Sequence, residues 1–187
     1  MKIKTMKKSI FILVAVLLAA YGNSQDTITT DNIVPLDAEG NITWQDVVRV
    51  PDQEQLDLYY KGIEWLNTYF PNAARVTRRR SPESGIIEGA HSIRLFDVHD
   101  EVRVPSGAVN YTFKLEFREG RFRYTITDFN VRAASRFPME RWLDDTGPFY
   151  NPANKAYLEQ VRYEIEKMIE SMTQYITRPP APEEEDW

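Results

Sequence analysis

One loop of the sequence concentrates side chains of the kinds that bind metal ions. The loop contains Asp97, His99, Asp100 and Glu101. Carboxylate oxygens and imidazole nitrogens are the usual ligands of divalent cations, so a metal site there is conceivable. Two neighbours in an extended loop point opposite ways, however, and no second cluster in the sequence supplies further ligands. A solvated acidic loop needs no ion, so we predict neither a metal nor another cofactor.

His91 is the other residue that could take part in acid–base chemistry. It shares the strand parity of Ile87, Ile93 and Leu95, which favours a hydrogen-bonded, partly buried histidine over a catalytic base. The chain has no cysteine, and no serine lies in a Gly-x-Ser-x-Gly run. Glycine motifs that cradle phosphate are also absent from the sequence. The residues therefore predict no catalytic site.

Five cationic side chains are predicted to share one face of a sheet. They are Arg75, Arg79, Arg94, Lys114 and Arg123. On an acidic protein, five cations on one face would form a patch that attracts anions. The alternative, which the sequence leaves open, is that they pair with Glu88 and Glu116 and that the face is merely solvated.

A run of aromatic residues completes the candidate interaction surface. The segment 132–153 breaks the helix and strand periodicities, and it contains Trp142, Phe149 and Tyr150. Such side chains most often cover the end of a sheet. Exposed aromatic residues on a loop are also typical anchors of protein interfaces, so both interpretations stay open.

The N-terminus has the pattern of a secretory signal peptide. Four lysines and no acid precede an apolar stretch at 10–20, which is too short for a membrane span. Gly22 and Ser24 are the small residues that a signal peptidase reads, so we expect cleavage after Ser24, with residues 25–32 as a polar lead. No cysteine stands at the cleavage point to carry a lipid. The mature protein is expected in the periplasm or outside a Gram-negative cell, without a stable membrane anchor.

The mature chain is strongly acidic. Removing residues 1–24 takes away four lysines and leaves 19 cations against 28 acids, a net charge of −9. This charge disfavours nucleic-acid binding, which depends on cations placed against phosphates. Because there is no cysteine, stability must come from a packed core and not from disulfides.

Periodicity and turn signals predict a single α+β domain at 33–177 and a disordered acidic tail at 178–187. In chain order the predicted elements are a short strand at 34–36, a turn ending at Gly40, a strand at 42–50, a helix to about residue 70, strands at 73–80 and 86–95, a hairpin at 109–131, the aromatic loop and a helix at 154–177. In the hairpin, the two-residue turn Glu119-Gly120 places Phe117 opposite Phe122 and leaves one face apolar and one polar.

Both long helices have apolar stripes and predicted starts. Asp52 with Gln55 is predicted to form a capping box for the first helix, and Asn151-Pro152 supplies a cap and first-turn proline for the last. The first stripe contains Leu56, Tyr59, Ile63, Leu66 and Phe70, and Leu58 and Trp65 widen it. The last contains Leu158, Val161, Ile165, Met168, Met172 and Tyr175. One apolar and one solvated sheet face is typical of an antiparallel sheet with helices on one side.

The order of several short motifs resembles a known family. They are Val34-Pro35-Leu36 with Gly40, the run 47–50, Leu58-Tyr59 with Trp65-Leu66, the segment 85–89 and Gly120-Arg121-Phe122-Arg123-Tyr124. Over residues 33–131 the chain is similar to domain of unknown function 4468, exported proteins with a fold like the TATA-box-binding protein. The resemblance implies a curved antiparallel sheet of about five to six strands backed by two helices. It implies no activity and no catalytic residues.

Three classes of function follow from these observations. We expect a non-enzymatic module that binds an envelope protein or an anionic ligand through the open sheet face or the aromatic loop. A structural subunit of an envelope assembly is the alternative, and a large apolar surface patch would favour it. An enzyme acting on an envelope substrate is the least supported, and a pocket that contains His91 would favour it.

Overall fold

The computed structural model describes residues 33–100 and 102–179. The predicted signal peptide, the polar lead and the acidic tail beyond residue 179 lie outside the described residues. The elements are β1 (Trp44–Arg49), α1 (Gln55–Tyr69), α2 (Ala73–Val76), β2 (Thr77–Ser81), β3 (Ile86–His99), β4 (Val102–Arg118), β5 (Arg121–Val131), β6 (Phe137–Pro138), a 3-10 turn (Met139–Trp142) and α3 (Ala153–Ile176).

The strands form one open antiparallel sheet with the order β1-β5-β4-β3-β2, and β6 adds to β5. The β4–β5 hairpin has the predicted register, with Phe117 opposite Phe122 and Leu115 opposite Tyr124. Gly120 closes the turn at φ +67°, a conformation that favours glycine. The predicted α+β class and the sheet with helices on one face are confirmed.

The core lies between one face of the sheet and the helices α1 and α3. From α1 it takes Leu58, Trp65 and Leu66. From α3 it takes the predicted residues from Leu158 to Met172, while at the helix end Ile176 is buried and Tyr175 is only partly buried. Leu56 is 45% exposed, so its place in the predicted α1 stripe was wrong. The face centred on Leu58 and Trp65 is the one that meets the sheet. Among the described residues, no helix has the length and apolar character needed to cross a membrane.

The start of α1 differs from the prediction. Asp52 adopts φ +61° and does not cap the helix. The N-cap residue is Glu54, and its side chain makes no capping hydrogen bond. The reason is a backbone link to the hairpin turn: Val50 N–H donates to the Gly120 carbonyl, and Gly120 N–H donates to the Gln53 carbonyl. These bonds hold residues 50–53 in a turn before the helix begins.

The first part of the predicted 73–80 strand is the single helical turn α2. Asn72 caps it by accepting a hydrogen bond from the Arg75 N–H, and Ala73 and Val76, three residues apart, are both buried. A strand would have placed Ala73 and Val76 on opposite faces, so burial of both favours the helical turn.

Strands β3 and β4 extend beyond the predicted 86–95 and 109–118, as a two-stranded ribbon. Val98, Val102 and Val104 on this ribbon are exposed. Helix α3 holds the base of the ribbon, because Gln160 accepts from the Phe96 N–H at 3.0 Å and donates to the Phe96 carbonyl at 2.8 Å. The ribbon was missed in the sequence because it packs neither face on the core and so lacks alternation.

The start of α3 and the aromatic loop agree with the prediction in outline. Asn151 Oδ1 accepts from the Ala153 N–H at the start of α3. The loop contains one helical turn, the 3-10 segment, where Met139 is fully buried.

Candidate functional site

The face of the sheet opposite α1 and α3 is polar, and no described helix packs on it. Its central rows contain the polar residues Thr112, Lys114, Glu116, Arg123 and Thr125, all partly or fully accessible. This face is accessible to a ligand, as the solvated face of an antiparallel sheet commonly is.

The cations at the centre of this open face are paired with acids. Glu116 accepts from Arg123 at 2.6 Å and lies 3.1 Å from Lys114 Nζ, and Arg79 lies 3.8 Å from Glu88. Burial acts to raise the pKa of Glu116, but the hydrogen bonds and charges of Lys114 and Arg123 outweigh it, so the pKa is lowered overall. Arg79, Lys114 and Arg123 are therefore paired with acids on a solvated face and do not form a free cationic patch.

The predicted five-cation patch is therefore not assembled as expected. Arg75 lies on α2 and not on a strand, because the helical turn replaces the first part of the predicted strand. Arg94 lies on β3 opposite Ala108 and makes no ion pair with the described residues. Only Arg79, Lys114 and Arg123 share the central part of the open face.

Two β-bulges reshape a different part of this face. In β5 the partners of Asn110 and Thr112 are Asn130 and Thr127, so β5 has one extra residue there. Asp128 lies in this bulge and adopts φ +59°. In β2 the register shifts between Thr77 and Arg79, so Arg78 is the extra residue. Bulges bend strands and redirect side chains, and they are over-represented beside binding sites.

A shallow depression of about 630 Å³ lies between the two bulges. Ser92 and Asn110, which face each other across β3 and β4, contribute to its lining together with Arg78, Arg136 and His91. The sequence pattern does not point to Arg78 or Arg136, because neither occupies a regular strand position. The only signal was indirect, in the three consecutive arginines at 78–80.

Arg136 is oriented by a polar network at the β5 bulge. Its Nη2 donates to Asp128 Oδ1 at 2.7 Å and its Nε to Asn130 Oδ1 at 3.2 Å. Asn130 Nδ2 in turn donates to Asp128 Oδ1 at 2.9 Å. The Arg136 side chain is nevertheless 75% exposed, so the guanidinium is fixed in direction and still accessible.

His91 differs from the prediction of a partly buried, hydrogen-bonded side chain. It is exposed, and its imidazole makes no hydrogen bond with the described residues. The ring lies 5.0 Å from Phe70 and 6.2 Å from Tyr111. Desolvation lowers the pKa of His91, which favours the neutral imidazole.

The three aromatic residues singled out in the loop have two different roles. Trp142 is partly buried against the core, with its ring 5.7 Å from that of Tyr157. Phe149 and Tyr150 are each 49% exposed. Arg141 lies over the ring of Phe149 at 5.0 Å, which gives the exposed end of the loop a cation–π contact. Trp142 thus packs on the core beside α3, and the other two remain accessible.

The acidic loop at 97–101 is only partly described. Asp97 accepts a hydrogen bond from the Tyr157 hydroxyl of α3. Within residues 33–100 and 102–179, no group of three potential ligands is placed to hold a metal ion.

Comparison with known proteins identifies the domain. Residues 44–132 match the model of a domain of unknown function (DUF4468) with TBP-like fold. The predicted resemblance to the DUF4468 family is thereby confirmed for this segment. The matched DUF4468 segment starts later than the predicted 33–131, so Val34-Pro35-Leu36 and Gly40 precede it. The family assignment gives the domain a fold but no known function.

Two crystal structures share the fold of the DUF4468 domain. One, a TBP-like protein from Parabacteroides distasonis ATCC 8503, has a TM-score of 0.63 at 10% identity and covers 78% of this chain and 97% of its own. The other, a DUF4468 family protein from Bacteroides ovatus ATCC 8483, has a TM-score of 0.61 at 15% identity and covers 81% and 95%. The chain matches no curated protein significantly. These likenesses concern the fold alone.

Proposed function

We propose that this DUF4468 domain is a non-enzymatic binding module that takes its ligand on the open sheet face, in the depression between the two bulges. The observation that carries the proposal is Arg136, whose exposed guanidinium is held in direction by Asp128 and Asn130. A long side chain that is already ordered loses less rotamer freedom when a ligand binds. The φ of +59° at Asp128 supports the same location, because unusual backbone conformations concentrate at functional sites.

An enzyme is the second candidate, because His91 is among the residues that line the depression. Its imidazole, however, lies on the helix side of the sheet, against Phe70 and Tyr111. A catalytic histidine is normally oriented by a hydrogen bond to a third group. His91 has no such partner among the described residues, and the Asp128 carboxylate, the one acid that lines the depression, is engaged by Arg136 and Asn130. We therefore favour binding over catalysis.

A structural subunit is the remaining alternative, and the exposed valines of the β3–β4 ribbon are the observation in its favour. Val98, Val102 and Val104 could contact a partner protein. They lie on a two-stranded ribbon whose tip is acidic, with Asp100 exposed, and not on the open face. The polar open face itself has no comparable cluster of large exposed apolar side chains among the described residues.

Export remains part of the proposal. The lysine-rich start and the Gly22–Ser24 spacing support cleavage after Ser24 and a mature protein that begins at Gln25. Intact mass of the protein recovered from the producing bacterium tests this directly. Retention of residues 1–24 would overturn the proposed periplasmic or extracellular location.

Nuclear magnetic resonance mapping tests the proposed binding face. The ¹⁵N-labelled protein is titrated with small-molecule fractions of a bacterial envelope extract. We expect at least one fraction to shift the amide signals of Ser92, Asn110 and Asn130, while the exposed valines of the ribbon stay unchanged. Shifts confined to the ribbon or to the aromatic loop would overturn the open-face proposal, as would an absence of shifts with every fraction.

A further inference from the structure

We infer that the ligand of the depression is a small organic anion that also carries hydroxyl groups, such as a sugar carboxylate or sugar phosphate. This inference rests on the proposed binding function of the open face. Three features carry it: the two arginines, the neutral polar groups of the strands between them and the size of the depression.

The arginines provide the preference for an anion. Arg78 is exposed at the β2 bulge, and its guanidinium makes no ion pair or hydrogen bond with the described residues. Arg136 has five N–H donors, of which its bonds to Asp128 and Asn130 use two, so three remain for a ligand. The planar guanidinium matches carboxylate and phosphate oxygens in a two-pronged geometry.

The charge of the depression remains positive after its internal pairing. Asp128 is the one acid among the residues that line it, and that carboxylate already neutralises Arg136. Arg78 is thus a cation without a counter-charge in this part of the structure. An anionic ligand would supply the missing charge.

The neutral groups indicate hydroxyls on the same ligand. Ser92 and Asn110 lie directly opposite each other on β3 and β4, and their side chains make no hydrogen bond with the described residues. A serine hydroxyl and an asparagine amide both donate and accept, as sugar hydroxyls do. Thr112 donates to the Thr127 carbonyl and keeps its acceptor lone pairs available. An inorganic anion without hydroxyl groups, such as sulfate, would use only the donors of this set.

The size of the depression fits the same class of molecule. Its volume of about 630 Å³ lies within the range of roughly 300 to 1,000 Å³ that is usual for small-molecule sites. Because Arg78 lies at the β2 bulge and Arg136 contacts the β5 bulge, the anionic group of the ligand has a cationic partner on either side of the depression.

The test is a set of NMR titrations of the whole protein with defined probes. They are D-glucuronate, glucose 6-phosphate, glucose and inorganic phosphate. We expect the two sugar anions to shift the amides of Ser92, Asn110 and Asn130, and glucose and phosphate to bind at least about tenfold more weakly. The glucuronate and glucose 6-phosphate arms distinguish a carboxylate from a phosphate as the anionic group.

Matched variants assign the binding to the arginines. Arg78→Gln and Arg136→Gln are each expected to weaken binding of the sugar anions by at least about tenfold. Arg80→Gln is the control, because Arg80 is an exposed arginine of the same strand that does not line the depression. Unchanged thermal melting of the three variants shows that the fold is intact.

The outcomes separate this inference from the proposed function. Binding of glucose as tight as that of glucuronate at the same amides, or binding of inorganic phosphate as tight as that of the sugar anions, would overturn the ligand class and leave the open-face module standing. Equal weakening by Arg80→Gln would overturn the assignment to Arg78 and Arg136. If the sugar anions fail while an envelope fraction still shifts the open-face amides, the ligand class alone is wrong. If both fail, the binding function is wrong as well.

Discussion

Gly62 of α1 lies directly against the ring of Phe117 of β4. A Cβ added at Gly62 would be 2.5 Å from Cζ of Phe117. Phe117 is fully buried, and its ring contacts those of Tyr59 and Phe122, so it has little room to move away. The missing side chain of this glycine therefore sets how closely the helix approaches the hairpin.

Replacing Gly62 by alanine is expected to destabilise the protein. The gain in helix propensity is about 1 kcal/mol, while overpacking costs about 1 to 3 kcal/mol, so we expect a net loss of about 1 kcal/mol. Urea denaturation measures the change. Gly107→Ala is the control, since nothing lies within 4 Å of a Cβ there. A stabilised Gly62→Ala variant would contradict the close packing.

Truncating Phe117 tests which face of the hairpin is buried. Phe117→Ala should lower the free energy of unfolding by about 3 to 5 kcal/mol, because it leaves a cavity in the core. Thr125→Ala on the open face should cost within about 0.5 kcal/mol. Denaturant melts of the two variants provide the comparison. Greater damage from Thr125→Ala would mean that the register is shifted by one residue.

Glu116 predicts a pH dependence of stability. Its pKa is lowered in the folded protein, so its stabilising contribution is present above its unfolded pKa and is lost as the pH falls through the folded value. Between about pH 6 and about pH 3 we expect the unfolding free energy to fall less in Glu116→Gln than in the wild type. Urea melts across this range measure the difference. Glu119→Gln, an exposed turn residue outside these ion pairs, should behave like the wild type.

Gln160 is expected to protect the base of the ribbon. Gln160→Ala removes both hydrogen bonds to the Phe96 backbone and should speed hydrogen exchange of the Phe96 amide by about fivefold, corresponding to about 1 kcal/mol. Exchange measured by NMR reads out this amide directly. Gln174→Ala is the control on the same helix, because its side-chain amide donates to Glu170 and bonds no strand of the described structure. Equal exchange in both variants would show that the side chain does not hold the ribbon.

The protein is not expected to bind duplex DNA, although its fold resembles a DNA-binding one. A fold carries no function by itself, and the central cations of the open face are paired with Glu88 and Glu116. The net charge expected after export, −9, also opposes binding to phosphates. An anisotropy titration at physiological salt checks this. Sub-micromolar affinity would contradict it.

The hairpin was predictable because local sequence determines it. A two-residue turn with Gly120 fixes the register, and alternation then assigns Phe113, Leu115 and Phe117 to the buried face. The stripe of α3 was predictable for the same reason, since its apolar spacing continues without interruption. The resemblance to the family added the sheet architecture to these local signals.

The candidate site was not predictable because it depends on the two bulges. An extra residue in β5 reverses the alternation, so Phe129 is buried although parity with Tyr124 and Ile126 would place it on the open face. Strict alternation cannot place Asp128 or Arg78 correctly. Arg136 comes from a loop, and only the folded chain shows that it reaches the bulge.

The open sheet ends at β2, and this edge strand contains Arg78, Arg79 and Arg80 in succession. If two copies joined edge to edge about a twofold axis, these arginines would meet the same arginines of the other copy. Like charges directly opposite each other oppose strand pairing. The arginines therefore act against polymerisation through this edge, and replacing them with neutral residues would leave an edge open to fibre-like aggregation.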